Sequence, residues 1–533
     1  MQNQKMKHVM QGAFILTAAS LIAKVLSAVY RIPLQNLVGN TGFYVYQQIY
    51  PIYGIGITFA LSGFPVFVSK LVAEQPTDAR KAAVAQRSFM ILSLVSLGLL
   101  ILLIGGAPLI AKAMGDTGLT PIIRCVALMF VFMPFLAVGR GYYQGIFQMI
   151  PTARSQVMEQ VVRVTVIIMV AYTAAHQHWN VYRMGTWAMS GAVIAAIVST
   201  LYFVQLFRTK IFNQSFKSSI EEQDRFKNLG KRFLVEGGTI CLFAAIIILL
   251  QLVDSFTVKN GLVDKGMADI SAKSLKGVYD RAQPLVQLGL VMATSFATTL
   301  LPSLTKAVQK QNQYEFKRNA QSMLHICLAI SVAASVGMIS LLPQINQVLF
   351  GNQQGTFAIR IYLLAVIFAA LIATYNSVLQ SVNVFRPAIF AFLLGLIVKL
   401  SLNQLAVKYY GIEGASWITV LSLAVIFMIM QRGVSSTLRS SLQLDMRFLG
   451  KLLLISLIMA VGVRVVQNGL SVGFAIHSRV GLGISLTVSI LVGILVFASG
   501  ALGLRLFTIR EWLTIPYGKK ILKKLEQTFS KHT

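Results

Sequence analysis

Charged residues are scarce in this chain of 533 residues, and most of those present are positive. Only 12% of the residues are Asp, Glu, Lys or Arg, whereas 56% are hydrophobic, and the mean hydropathy is +0.70. A soluble domain normally carries about 25% charged residues. The composition therefore excludes an ordinary soluble protein and predicts an all-α integral membrane protein with many transmembrane helices.

Residue types that commonly take part in catalysis or metal binding are also few. The three cysteines lie in or beside apolar segments without disulfide or metal spacing, and the six histidines are scattered. The sequence has no P-loop, no carboxylate cluster with metal spacing and no nucleophile–base pair. We therefore expect no catalytic residue, no metal and no cofactor, and we expect that ATP does not drive this chain directly.

The net charge of +30 at pH 7 does not predict a nucleic-acid-binding protein. The basic residues are distributed over short connections between apolar segments, as the positive-inside rule expects of a membrane protein. No small-residue cleavage site follows the first apolar segment, which predicts a retained helix rather than a signal peptide.

Fourteen segments are long enough to cross a membrane. With the N-terminus in the cytoplasm, about two thirds of the 47 Lys and Arg residues fall in inside loops, which predicts that both termini are cytoplasmic. The predicted spans are 12–34, 43–69, 88–110, 121–145, 155–175, 186–207, 233–254, 278–303, 321–342, 357–380, 387–408, 414–431, 449–467 and 481–505.

An internal repeat divides the chain. The segments Gln144–Pro151 and Gln380–Pro387 share a Gln-x6-Pro spacing at an offset of 236 residues, which predicts two parallel six-helix lobes followed by two further helices. We expect the second spans of the lobes to be interrupted by Gly and Pro. The predicted parts are an N-lobe (1–210), a basic cytoplasmic linker (211–232), a C-lobe (233–432), spans 13 and 14 (433–510), and a basic amphipathic tail on the inner membrane surface (511–533).

A polar stripe runs along the first predicted helix. Ser20, Lys24, Ser27 and Arg31 recur at steps of four, three and four residues and share one helical face. A positive charge inside a span costs about 2.5–3.5 kcal/mol on insertion scales, so such residues usually face a protein interior or a water-filled cavity. The stripe predicts a cationic cavity, and snorkelling of Arg31 to the membrane surface is the alternative.

Other ionisable and polar residues inside spans complete the set of candidates. Glu159 and Arg163 are spaced as an intrahelical ion pair, which we favour as their role. The stripe of Tyr46, Tyr50 and Tyr53 fits either a cavity lining or an interfacial belt. The remaining candidates are Asp280, Arg281, Gln287 and Lys399, with Arg140 and Arg360 as secondary ones; Arg360 lies near an outer helix end, where snorkelling is equally expected.

A cationic cavity selects an anion. Arginine matches phosphate oxygens bidentately and lysine supplies a point charge, so the predicted ligand is an amphiphile with a phosphorylated head group. The membrane potential supplies about 2.3 kcal/mol per charge per 100 mV for its movement outward, and an ion gradient is the alternative driving force.

The stretch Ala23-Lys24-Val-Leu-Ser-Ala-Val-Tyr-Arg31-Ile-Pro33, with fourteen spans and two parallel lobes, resembles the multidrug/oligosaccharidyl-lipid/polysaccharide (MOP) exporter superfamily. The segments Tyr279–Gln287 and Leu301-Pro302 resemble its Gram-positive polysaccharide-biosynthesis, stage V sporulation protein B-like branch, which includes the MurJ-type lipid II flippases. The resemblance implies a multi-pass protein of the bacterial plasma membrane. It also implies a monomer that works with membrane lipids and cell-wall synthesis proteins and flips an undecaprenyl-pyrophosphate-linked peptidoglycan precursor.

The resemblance also implies roles for particular residues. Lys24 matches the first basic position of the family's first helix, Arg31 approximates the second, and Arg281 approximates the arginine of the eighth helix. Span 2 departs from the family because it has no Lys or Arg, so Arg163 or Lys399 would have to compensate.

Two other transport functions stay open. One is a flippase for another lipid-linked oligosaccharide, such as a capsule, exopolysaccharide or teichoic acid unit. The other is a cation-coupled drug exporter, which predicts buried carboxylates and is disfavoured by the excess of positive charge.

Overall fold

The structure is a computed structural model that describes residues 2–212, 227–298, 300–382, 384–473 and 478–514. Within these ranges all regular secondary structure is helical, which confirms the all-α prediction. Most of the predicted linker 211–232 and most of the predicted tail 511–533 lie outside the described residues.

Twelve helical runs among the described residues are long and apolar enough to cross a membrane. One of them, Ile15–Ala73, has 59 residues and covers the first two predicted spans. The predicted eighth span, 278–303, is not among the twelve, and it falls on a series of shorter helices. Every one of the fourteen predicted segments therefore falls on helix, while the cytoplasmic location of the termini and the lobe boundaries stay predictions.

The chain divides into two compact units. The first comprises Met1–Asp280 and Lys399–Ala415, and the second comprises Arg281–Val398 and Ser416–Thr533. The helices of the first unit are α1 (Gln2–Val29), α2 (Arg31–Thr58), α3 (Phe64–Ala73), α4 (Asp78–Ala113), α5 (Thr120–Ala127), α6 (Met133–Gly145), α7 (Met149–His176), α8 (Val181–Leu201), α9 (Val204–Leu206), α10 (Gly238–Asp264) and α11 (Asp269–Tyr279).

The second unit has its own set of helices, and two long helices contribute residues to both units. The helices are α12 (Ala282–Thr298), α13 (Leu301–Gln309), α14 (Gln313–Phe350), α15 (Thr356–Leu363), α16 (Ala365–Ser381), α17 (Arg386–Tyr410), α18 (Ile412–Arg432), α19 (Ser436–Ser441), α20 (Met446–Gly473), α21 (Arg479–Gly503) and α22 (Ile509–Thr514). The end of α17, from Lys399 onward, and the start of α18, up to Ala415, belong to the first unit.

The break between the first two predicted spans occurs at a glycine. The backbone at Tyr30, between α1 and α2, is helical, but Gly39 inside α2 has a φ of 69° and a ψ of −176°. Residues other than glycine rarely adopt a positive φ, so the glycine at this position allows the chain to turn. Residues 43–53 consequently pack back against the end of α1.

The second predicted span is interrupted, as expected. Pro51 lies inside α2, a π-helical turn covers Phe59–Gly63, and Pro65 lies in the first turn of α3. The close approach of α10 to α2 also depends on a glycine. A Cβ at Gly54 of α2 would lie 2.9 Å from the side chain of Ile248 on α10.

The two copies of the Gln-x6-Pro repeat occupy equivalent places. Gln144 lies at the end of α6 and Pro151 at the start of α7, while Gln380 ends α16 and Pro387 begins α17. Proline is well tolerated in a first helical turn, where its missing N–H has no intrahelical acceptor. Each copy therefore encodes the same break between two helices.

Candidate functional site

The polar stripe of α1 lies partly against α7. Ser20 Oγ donates to Gln156 Oε1 at 3.0 Å, and Arg163 Nη2 donates to Ser27 Oγ at 3.2 Å. The two serines of the stripe thus join α1 to α7 through polar contacts. The spacing correctly predicted a shared helical face, and the structure shows that the two serines of this face contact α7.

Lys24 lies on the same stripe but is exposed. At about 100° per residue, the exposed apolar side chains Ile15, Ile22 and Val29 point about 140–180° away from Lys24 around the helix. Those three side chains form an apolar face suited to lipid. Lys24 therefore lies on the opposite side of the helix from these three side chains, while the exposed Leu21 lies about 60° from it.

Arg31 is buried, with only 1% of its surface exposed. Its guanidinium carbon lies 4.1 Å from the centroid of the Tyr50 ring, a distance suited to a cation–π interaction. The hydroxyls of Tyr30 and Tyr46 hydrogen-bond to each other at 2.8 Å in the same region. Snorkelling is therefore not the arrangement of Arg31 in this structure, because the turn at Gly39 brings the rings of α2 over it.

Arg163 is also buried, and it contacts the same tyrosines. Its guanidinium carbon lies 4.7 Å from the Tyr53 ring centroid and 5.1 Å from that of Tyr30, and its Nη2 donates to Gln160 Oε1 at 2.6 Å. Tyr46, Tyr50 and Tyr53 are buried, which excludes an exposed interfacial belt in this structure. We call Arg31, Arg163, Tyr30, Tyr46, Tyr50 and Tyr53 the arginine–tyrosine cluster.

The predicted ion pair between Glu159 and Arg163 is wrong. Arg140, fully buried on α6, donates instead to Glu159 Oε2 and also to Ser155 Oγ at 3.0 Å. The spacing of four residues allows an ion pair within α7, but Glu159 pairs instead with a residue of another helix. Arg140 is thereby placed as the counter-charge of Glu159.

Lys399 also has a buried carboxylate partner. Its Nζ lies 2.9 Å from Asp254 Oδ2, and neither side chain is exposed. Sequence reasoning missed Asp254, which lies at the last residue of the predicted seventh span. Its signal was available, since a carboxylate within the apolar run of α10 requires a partner.

Asp280 and Arg281 are adjacent in sequence but differ in their contacts. Asp280 belongs to the first unit and forms a buried ion pair with Lys276, one turn earlier on α11. Arg281 belongs to the second unit, where its Nη1 donates to Asn352 Oδ1 at 2.7 Å and its guanidinium carbon lies 5.0 Å from the Phe350 ring centroid.

The other candidates in the second unit are partly exposed. Gln287 lies on α12 and Arg360 on α15, and both have intermediate exposure. Lys24 is thus the one residue of the predicted set that the structure leaves largely exposed. Eight members of the set are buried: Ser27, Arg31, Arg140, Glu159, Arg163, Asp280, Arg281 and Lys399.

A further charged network lies where α4, α8, α10 and α11 end or begin. Lys273 Nζ lies 2.7 Å from Asp269 Oδ2 and 3.2 Å from Asp116 Oδ2, and Lys259 also pairs with Asp269. Burial opposes ionisation of Asp269, but the hydrogen bonds from both lysines outweigh it and lower the pKa of this carboxyl below its usual value. Sequence reasoning did not identify this network, whose members are spread over more than 150 residues.

Comparison with known proteins identifies the family. Residues 9–308 match the family model described as polysaccharide biosynthesis protein. A Bacillus subtilis (strain 168) protein, described as uncharacterized membrane protein YabM, is 36% identical over 521 residues, 96% of this chain and 96% of the relative. The chain belongs to the polysaccharide biosynthesis protein family.

Two further B. subtilis (strain 168) proteins are similar to this chain over most of their length. The lipid II flippase MurJ is 26% identical and covers 86% of this chain and 88% of its own length. Stage V sporulation protein B is 25% identical and covers 82% of this chain and 85% of its own length.

Solved structures support the same fold. The lipid II flippase MurJ in an inward closed conformation has a TM-score of 0.68 at 15% identity, covering 92% of this chain and 99% of that chain. An inward-facing multidrug resistance MATE family transporter of the MOP superfamily has a TM-score of 0.62 at 12% identity, covering 78% and 96%. These findings confirm the predicted superfamily, its stage V sporulation protein B-like branch and a multi-pass location in the bacterial membrane.

Proposed function

We propose that this family member is a flippase that carries lipid II, an undecaprenyl-pyrophosphate-linked peptidoglycan precursor, from the inner to the outer leaflet by alternating access. The relative named lipid II flippase MurJ supports this substrate. The observation that carries the proposal is the largely exposed side chain of Lys24 on α1, the helix whose Ser27 accepts a hydrogen bond from the buried Arg163.

The charge around Lys24 favours an anion. The helices α1, α2, α6 and α7 carry a single acidic residue, Glu159, which is already paired with Arg140. Neither Arg31 nor Arg163 has a carboxylate at ion-pair distance among the described residues, so the positive field of both guanidiniums is not cancelled locally. In a region of low dielectric constant that field is weakly screened.

We assign Lys24 the role of contacting the pyrophosphate. Lysine is a compact point charge on a flexible stem, which suits a phosphate group that must be bound and then released. The buried guanidiniums of the arginine–tyrosine cluster add attraction without contacting the ligand in this arrangement. Arg281, Asp280, Gln287, Lys399 and Arg163 remain proposals as ligand contacts, and each of them is less exposed than Lys24.

The membrane potential is a sufficient driving force for this transport. A head group with two negative charges that moves outward from an inside-negative cell gains about 2.3 kcal/mol per charge per 100 mV. The same inside-negative potential favours the inward return of the unloaded, positively charged site. Membrane lipids and cell-wall synthesis proteins are the partners that this function implies.

Complementation tests the proposal. The host's lipid II flippase is depleted, this protein is expressed, and lipid II at the outer surface is labelled with a membrane-impermeant reagent. We expect rescue by the wild type and by Arg124→Ala, which removes an exposed basic residue of α5, but not by Lys24→Ala at equal expression. Rescue by Lys24→Ala would contradict the site, and failure of a well-expressed wild type would contradict lipid II as substrate.

A flippase for another lipid-linked glycan is the second candidate, favoured by the match to a family described by polysaccharide biosynthesis. Failure of the wild type in the lipid II assay would direct the search to capsule, exopolysaccharide or teichoic acid precursors. A cation-coupled drug exporter is less well supported. The fully buried carboxylates Glu159 and Asp254 already have basic partners, and the exposed charge of α1 is positive.

A further inference from the structure

A polar site is built around Asp254 from residues that do not belong to the arginine–tyrosine cluster. Asp254 Oδ2 accepts hydrogen bonds from Lys399 Nζ at 2.9 Å and from the Tyr279 hydroxyl at 3.2 Å. Asp254 Oδ1 accepts from Asn403 Nδ2 at 3.0 Å. The carboxylate is therefore held by groups from α11 and α17, and it is fully buried.

The shell of this site is rich in oxygen. Asn403 Nδ2 also donates to Thr257 Oγ1 at 2.6 Å, which brings a hydroxyl beside the carboxylate. Asn403 Oδ1 is buried and has no hydrogen-bond partner in the structure. Carboxylate, amide and hydroxyl oxygens are the ligands that hard cations prefer. The charge within this shell is supplied by the ammonium of Lys399.

The helices that carry these groups are held firmly together. Lys399 and Asn403 are one turn apart on α17, and Asp254 and Thr257 are nearly one turn apart on α10, so each pair shares a helix face. One turn further along α10, a Cβ at Gly261 would lie 2.8 Å from the side chain of Val407. Such close packing fixes the spacing of the polar groups and preorganises the shell.

We propose that Lys399 is a tethered cation: its ammonium occupies a monovalent-cation site formed by Asp254, Asn403, Thr257 and Tyr279. The charge that balances Asp254 then belongs to the chain itself and cannot dissociate. Transport by this protein consequently takes up no alkali cation at this site. Removal of the lysine side chain leaves a vacant oxygen-lined site that a free cation of similar size can fill.

The test measures thermal unfolding of the purified full-length protein in detergent, so it is independent of the proposed substrate. Wild type and Lys399→Ala are compared in sodium chloride, methylammonium chloride and N-methylglucamine chloride at equal ionic strength. We expect the same unfolding midpoint for the wild type in all three salts. We expect a midpoint several degrees lower for Lys399→Ala in N-methylglucamine, with recovery in methylammonium and in sodium.

Two variants serve as matched controls. Lys399→Met fills the space without a charge, so its midpoint stays low in every salt. The double substitution Asp254→Asn with Lys399→Ala removes both charges, so its midpoint does not depend on the cation. The proposal is overturned if Lys399→Ala responds to the salts as the wild type does, or if the wild type itself is stabilised by sodium over N-methylglucamine.

Accumulation in cells provides a second measurement in case Lys399→Ala is too unstable to purify. The proposal attributes that instability to the uncompensated carboxylate, so the double variant should accumulate to a higher level than the single one. Equal loss of both variants would overturn the proposal, because Lys399 would then be needed for its packing and not for its charge.

Discussion

Two groups of buried basic side chains in the first unit are balanced in different ways. Arg31 and Arg163 lie against tyrosine rings and neutral polar groups, with centroid distances of 4.1–5.1 Å. Lys399 lies against the carboxylate of Asp254 at 2.9 Å. Aromatic faces and amides stabilise a positive charge without cancelling it, whereas a carboxylate cancels it at short range.

This difference separates functional from structural charge. The guanidiniums of the arginine–tyrosine cluster have no carboxylate at ion-pair distance among the described residues, and α1 also carries the exposed Lys24, which suits recognition of an anionic head group. The Asp254–Lys399 pair is locally neutral and fully buried, which suits a fixed element of the fold. A basic residue inside a membrane span is therefore informative only when its counter-charge is known.

The largest effect on stability should follow from breaking the neutral pair. Asp254→Leu leaves the ammonium of Lys399 buried without its carboxylate, and removal of one partner of a buried pair costs about 3–5 kcal/mol. The double substitution Asp254→Leu with Lys399→Met replaces both charges by apolar groups and should recover most of that loss. Thermal unfolding in detergent measures both variants, and a double variant as unstable as the single one would contradict the assignment of a locally neutral pair.

A smaller effect should follow from changing the arginine–tyrosine cluster. Arg163→Lys retains the charge but loses the planar stacking on Tyr53 and Tyr30 and the fork of donors to Ser27 and Gln160, at a cost of about 1–3 kcal/mol. Unfolding midpoints of Arg163→Lys and wild type measure it. A loss as large as that of Asp254→Leu would mean that the cluster depends on a charge balance similar to that of the ion pair.

The smallest effect belongs to the partly exposed network at Asp269. Because the lysines lower the pKa of Asp269 in the folded protein, its stabilising contribution is present above about pH 4 and is lost as the pH falls below that value. Asp269→Asn should therefore slightly lower the unfolding midpoint near neutral pH and should match the wild type in acid. A difference that persists unchanged at pH 3 would contradict this electrostatic origin.

Local patterns predicted the helices and one face of the site. Every segment predicted from hydropathy falls on helix, and the steps between Ser20, Lys24 and Ser27 predicted their common face, because both follow from local sequence pattern. The break between the first two spans lies in the gap predicted between residues 34 and 43, but the positive φ of Gly39 that produces it is visible only in the structure.

The partners of the buried charges could not be predicted in this way. The hydrogen bond from Arg163 to Ser27 joins residues 136 positions apart, and that between Lys399 and Asp254 joins residues 145 positions apart. A helical spacing of four suggested the wrong partner for Glu159, because a pair on one helix is worth only about 0.2–0.5 kcal/mol and a buried tertiary partner outweighs it. Long-range contacts of this kind are visible only once the helices are packed.

Binding of lipid II to the purified protein, measured by native mass spectrometry, tests the central claim most directly. Loss of one charge-assisted contact of about 1.5–3 kcal/mol corresponds to a roughly 10- to 100-fold weaker affinity. We predict this loss for Lys24→Ala, with an unfolding midpoint close to that of the wild type, and no comparable loss for Arg124→Ala, which removes an exposed basic residue of α5. Unchanged affinity of Lys24→Ala would contradict the account.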